Sequence, residues 1–140
     1  MNRLQWQQLA ERWLVDGKIL LDAHRWATAY YVLGNAVECG LNACVLARVA
    51  AAPEVIFEDR KSSEKCWTHS IMELVKLAGL EPTRVADALA NPSLREHWLV
   101  VNAWNESTRY KSVPHQKAKK LYKAITHNSN GVMKWIRAHW

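Results

Sequence analysis

Negative charge is missing from the end of this sequence: no aspartate or glutamate follows Glu106. Cysteine is scarce, and an odd count of three (Cys39, Cys44, Cys66) does not build the paired framework of a disulfide-stapled domain. Cys39 and Cys44 are five residues apart on a predicted helix and point in different directions, so the cysteines are expected to be reduced core residues. None of the five glycines belongs to a phosphate-cradling loop, which excludes the usual mononucleotide hydrolases, and no Gly-x-Ser-x-Gly nucleophile elbow is present. Cys66 and His69 have a spacing found in metal sites, but no second pair of ligands accompanies them. Neither a metal nor another cofactor is expected. No alternating strand pattern of useful length occurs, and no apolar window approaches a membrane span. Met1–Gln7 also lacks an apolar signal core, so a cytoplasmic protein without a membrane partner is expected.

What the sequence does have is asymmetric charge. Residues 1–106 hold 11 Lys/Arg against 13 Asp/Glu, whereas the remainder carries eight basic residues: Arg109, Lys111, Lys117, Lys119, Lys120, Lys123, Lys134 and Arg137. That imbalance points to a polyanionic partner, with a lysine-rich solvated face as the alternative. A length of 140 residues and globular composition indicate one domain, residues 1–140.

Helical periodicity accounts for most of the chain. Trp6, Leu9, Trp13, Gly17 and Leu20 mark one face of a first helix over Asn2–Ala23. Arg25–Ala52 has no proline and is apolar in almost every direction, so it is expected to be central. Its polar exceptions Thr28, Asn35, Glu38 and Asn42 fall within an arc of about 80°. Pro53 ends this helix, and Glu54–Trp67 reads as an exposed connection. Thr68 is the expected N-cap of a helix from His69 to Ala78, closed by Gly79. Pro82 and Pro92 open shorter helices, the second with Leu94, Trp98 and Val101 inward. A last long helix starts near Ser112–Pro114, with His115, Ala118, Leu121, Tyr122 and Ile125 inward. It breaks at Asn128–Gly131 before Val132–Trp140. These elements predict an all-α, up-and-down bundle of four to five main helices with extra short ones. Eight tryptophans exceed what one small core hides, which predicts packing against a second copy in a homodimer.

Three segments carry a family resemblance: Arg25-Trp26 with Ala29–Ala43, then Trp104 leading to Arg109-Tyr110, then Gly131–Ile136. Together they resemble the bacterial HEPN family of small helical bundles, and His69 with Leu74 and Ala78–Leu80 resembles its third-helix region. The resemblance implies a HEPN-like bundle that dimerises with its long helices side by side and a possible active site at that interface. Catalytic members carry an arginine followed a few residues later by a histidine; Arg109 and His115, with five residues between, have that form. Tyr110 stands where active members often have a small polar residue, and Lys117 where certain toxins have a modified tyrosine. Asn42 stands where many relatives have lysine.

Arginine and histidine suit metal-independent RNA cleavage. RNA supplies its own 2′-hydroxyl nucleophile, a histidine can take the proton, and a guanidinium can steady the crowded phosphorane. His115 falls in the first turn of the last long helix, whose amide dipoles favour phosphate there. The expected activity is that of a homodimeric endoribonuclease, a toxin or defence component, with Arg109 and His115 catalytic. Glu38, Asn35, Asn42 and Tyr110 would support them, and Lys111, Lys117, Lys119, Lys120 and Lys123 would hold the nucleic acid. The alternative is a non-catalytic module that binds nucleic acid, a nucleotide, or a partner protein such as a cognate antitoxin. In that case Arg109 serves only to neutralise a buried Glu38, the pairing the resemblance favours.

Overall fold

In a computed structural model, the residues described are 1–52 and 68–140. Among them are seven α-helices, one 3-10 turn and no strand. The helices are α1 (Arg3–Asp22), α2 (Trp26–Ala51), α3 (Ile71–Leu77), α4 (Glu81–Ala90), α5 (Pro92–Asn102), α6 (His115–Thr126) and α7 (Val132–Arg137). The 3-10 turn, Glu106–Tyr110, lies between α5 and α6. Sequence periodicity did not reveal it, because a single tight turn leaves no repeat to count. The expected connection Glu54–Trp67, the stop at Pro53 and the role of Cys66 lie outside the described residues.

Local chemistry sets the helix ends. Asn2 and Gln5 form a reciprocal capping box on α1, with bonds of 2.8 and 2.9 Å. The cap of α3 is Ser70 rather than Thr68: the Ser70 hydroxyl accepts from Glu73 N, whereas Thr68 accepts from Ser70 N one step earlier. Gly79 closes α3 as expected, at φ 71°.

Central α2 packs against α1, α3, the 3-10 turn, α6 and α7, which explains its all-round apolar composition. By length and composition it could cross a membrane, contrary to the expectation that no window would, but 67% of its apolar window is buried inside the bundle. The approach of α1 to α2 is close enough that a Cβ on Gly17 would meet Leu33 Cδ2 at 2.5 Å. Small residues therefore occupy the line of contact. The buried face of α1 is Ala10, Leu14, Gly17 and Leu21, with Trp6, Leu9, Trp13 and Leu20 half-buried at its flanks rather than at its centre. Trp104 lies across Gly34 and donates to the Tyr30 carbonyl at 3.1 Å, while Trp98 and Trp135 meet edge to face at 5.4 Å. Every described tryptophan is buried or half-buried within one chain, so these residues do not by themselves demand a second copy. The large apolar side chains left exposed are mainly aliphatic, among them Leu4, Val15 and Ile19 on α1 and Leu89 on α4. Cys39 and Cys44 are buried free thiols whose pKa values burial pushes up to about 12, the unreactive state expected for core residues.

Candidate functional site

Polar chemistry collects where α2, the start of α3 and the 3-10 turn meet. Glu38 projects from the middle of α2 with its side chain only 9% exposed. Its Oε1 lies 2.9 Å from His69 Nδ1, and its Oε2 has no hydrogen-bond partner among the described residues. Arg109 was the expected partner of Glu38, but the carboxylate is answered by an imidazole. His69 precedes α3 and reaches α2 directly, whereas the Arg109 guanidinium stacks over Tyr110 at 4.5 Å. Tyr31, one helical face with Glu38, also stands by that guanidinium and holds its proton more tightly than usual.

His69 bridges two carboxylates. Its Nε2 lies 3.5 Å from Glu106 Oε2, and the imidazole is 57% exposed. The hydrogen bond to Glu38 raises its pKa above the ordinary histidine value, with the charges of Glu38 and Glu106 assisting, while partial burial and Arg109 oppose. Burial raises the carboxyl pKa of Glu38, and the bond to His69 counters it. The 3-10 turn is fixed by Asn105, whose side chain caps Ser107, and by Thr108, which is buried and bonds the Asn105 carbonyl at 2.7 Å. A 3-10 helix has 3.0 residues per turn, so Glu106 and Arg109 eclipse one another on the edge facing His69. Asn35 and Asn42 lie half-buried on the same α2 stripe; Thr28 is exposed.

His115 occupies a different place. It opens α6 exposed to solvent rather than inward, because Val113 and Ala118 fill the inward positions on either side of it. Its ring stacks on Trp26 at 4.2 Å, and Trp26 stacks in turn on His24 at 4.8 Å. These three side chains, with Lys18, Leu21, Asp22 and Lys119, line an open groove of about 340 Å³. Arg109 is not among the lining residues. Trp26 and Glu38 are twelve residues apart on α2, which places the two histidines' anchors about 18 Å apart along the helix axis.

The expected nucleic-acid-binding lysines, Lys111, Lys117, Lys119, Lys120 and Lys123, are all exposed. Lys117 reaches over the Tyr30 ring at 5.3 Å. Arg137, counted with the basic tail, is committed to the fold: its guanidinium makes a two-point contact with Glu11 on α1, at 2.6 and 2.8 Å. No group of three or more metal-ligating side chains occurs among the described residues. Sequence reasoning missed Glu106 and the pairing of His69. The one available signal was that a carboxylate buried on a central helix requires a partner.

No family model, no curated protein and no solved structure matches the chain.

Proposed function

We propose that this protein is a HEPN-like, up-and-down helical bundle that binds single-stranded RNA along the basic surface of its C-terminal third and cleaves it without a metal. The carrying observation is that Arg109 is exposed and has no carboxylate ion pair among the described residues, since Glu38 is engaged by His69. A guanidinium held by Tyr31 and Tyr110 without a carboxylate among the described residues keeps its charge for phosphate oxygens. Apart from it, the exposed lysines of α6 and the separate groove lined by His115 and Lys119 supply positive charge along which an RNA backbone can run, while Lys18 in that groove is paired with Asp22 at 2.8 Å. Stacked rings of Trp26, His24 and His115 give bases a sequence-tolerant surface at the same groove.

Cleavage would proceed by attack of the 2′-oxygen on its own phosphorus, leaving a cyclic phosphate and a free 5′-hydroxyl. The sequence pattern pairs Arg109 with His115, and a homodimer, cytoplasmic and part of a toxin–antitoxin or defence system, is the assembly in which an Arg109 and a His115 of different copies could meet one RNA strand. The test is incubation of the purified protein with RNA in excess chelator. Cyclic-phosphate products that vanish with Arg109→Ala support the proposal; equal, negligible cutting by wild type and variant removes the enzyme. Non-catalytic RNA binding is the second reading, favoured by the absence of Arg109 from the groove that holds His115. It predicts salt-sensitive RNA binding with no product at any pH.

A further inference from the structure

If RNA is cut at Arg109, a proton acceptor and a proton donor are needed beside that residue, and His115 lies in a separate groove. Two other titratable groups stand next to Arg109 in the same chain. We propose that Glu106 is the general base and His69 the general acid of this reaction, with Glu38 as the positioning residue that orients His69.

The geometry has three parts. Glu106 and Arg109 are three residues apart on a 3-10 turn, so their side chains project from one edge, where a phosphate held by the guanidinium meets the carboxylate. His69 faces that edge through Nε2, which lies 3.5 Å from Glu106 Oε2 in the free chain. Behind the ring, Glu38 accepts from Nδ1 at 2.9 Å; this fixes the tautomer so that any second proton resides on outward Nε2. Glu38 is nine-tenths buried and its Oε2 is unpartnered among the described residues, so its negative charge is directed onto the imidazole rather than dispersed into water. The pair thus sets a carboxyl group and an imidazole side by side, the two groups that in-line cleavage requires.

The step balances as follows. The 2′-hydroxyl proton passes to Glu106, and the 2′-oxygen forms a bond to phosphorus. The bond from phosphorus to the 5′-oxygen breaks, and that oxygen takes the Nε2 proton of His69. Arg109 neutralises the added charge on the phosphorane oxygens. The products are a 2′,3′-cyclic phosphate and a 5′-hydroxyl, with Glu106 protonated and His69 neutral until solvent resets both. The phosphodiester takes the place of the Glu106–His69 contact as it enters, and His115 acts on the RNA strand away from the scissile bond.

This inference rests on the proposed ribonuclease activity, and the experiment separates the two. Full-length wild type, Glu106→Gln, His69→Gln and His115→Ala are assayed on single-stranded RNA in excess chelator across pH 4–9, after circular dichroism confirms helicity. The expected wild-type profile is a bell whose acid limb disappears in Glu106→Gln and whose alkaline limb disappears in His69→Gln, each with kcat lower by about 100-fold or more. A second substrate carries sulfur in place of the 5′-oxygen; its leaving group needs no proton, so it restores His69→Gln and leaves Glu106→Gln impaired. Wild type without cutting overturns both proposals. Wild type that cuts, with both limbs retained in Glu106→Gln and His69→Gln or with no selective rescue by sulfur, overturns this inference alone. A Tm shift without a change in either limb overturns it as well, because that is the signature of a purely structural ion pair.

Discussion

Glu38 and His69 are separated by 31 positions in the sequence and by 2.9 Å in space, and their contact ties the middle of α2 to the start of α3. One partner is nearly buried and the other half-exposed, so the pair is asymmetric in what its loss exposes. Removal of the imidazole strands a desolvated carboxylate, whereas removal of the carboxylate merely returns a histidine to water.

His69→Ala is therefore expected to destabilise the fold by about 1–3 kcal/mol, and Glu38→Leu by less. The double variant should recover much of the loss, because replacing both partners by apolar groups removes the stranded charge. Urea unfolding followed by circular dichroism measures all three. An additive double variant would show that the two residues do not interact.

Stability should also fall as pH rises. His69 binds its proton more tightly folded than unfolded, so its contribution is complete below the ordinary histidine value of 6.5 and is lost as pH rises through the higher folded value. Glu38, raised from 4.5 by burial, acts in the same sense over a lower window that begins near that value. Thermal midpoints recorded from pH 5 to pH 9 should decline, and His69→Gln should flatten the part above 6.5. An identical slope in that variant would assign the decline elsewhere.

Much of this fold was legible because helices announce themselves by period and by punctuation. The bounds of α1 and α2, the inward face of α5 at Leu94, Trp98 and Val101, and the closing Gly79 all follow from local rules. The inward face of α1 was misassigned by about one residue because hydrophobicity marks Trp6 and Trp13. Burial instead follows the close approach at Gly17, a property of the pair of helices rather than of one. The site was less legible for the same reason. Arg109 and His115 make a recognisable pattern in the sequence, but His115 rests on Trp26 and Arg109 on Tyr110, contacts that no spacing rule contains. Glu106 was invisible as a site residue until the 3-10 turn set it beside Arg109 and His69.

Gly34→Ala should be among the most damaging small substitutions. A methyl group there would collide with the Trp104 indole, which is itself fixed by its bond to the Tyr30 carbonyl. Forcing that ring outward is expected to cost about 1–3 kcal/mol or more, read as a lower urea midpoint. A variant as stable as wild type would mean that the indole has room to move.

Lysines that hold RNA should reveal themselves through salt. Each phosphate contact with a single strand contributes about 0.7 to the slope of log affinity against log salt. Lys119→Ala, in the groove, and Lys123→Ala, on the exposed face of α6, should each flatten the slope by about that amount without changing sequence preference. Fluorescence anisotropy between 50 and 300 mM salt, with those limits set at roughly the range where such contacts are resolved, makes the comparison. Unchanged slopes would place the RNA on another surface.

The indole of Trp26, held between the imidazoles of His24 and His115, has one further consequence. The stacked imidazoles shield the indole from water, and its emission depends on that contact. A strand that parts the three rings should therefore change it. The groove thereby carries its own optical gauge, and its occupancy can be followed in the unlabelled protein by comparing wild type with Trp26→Phe.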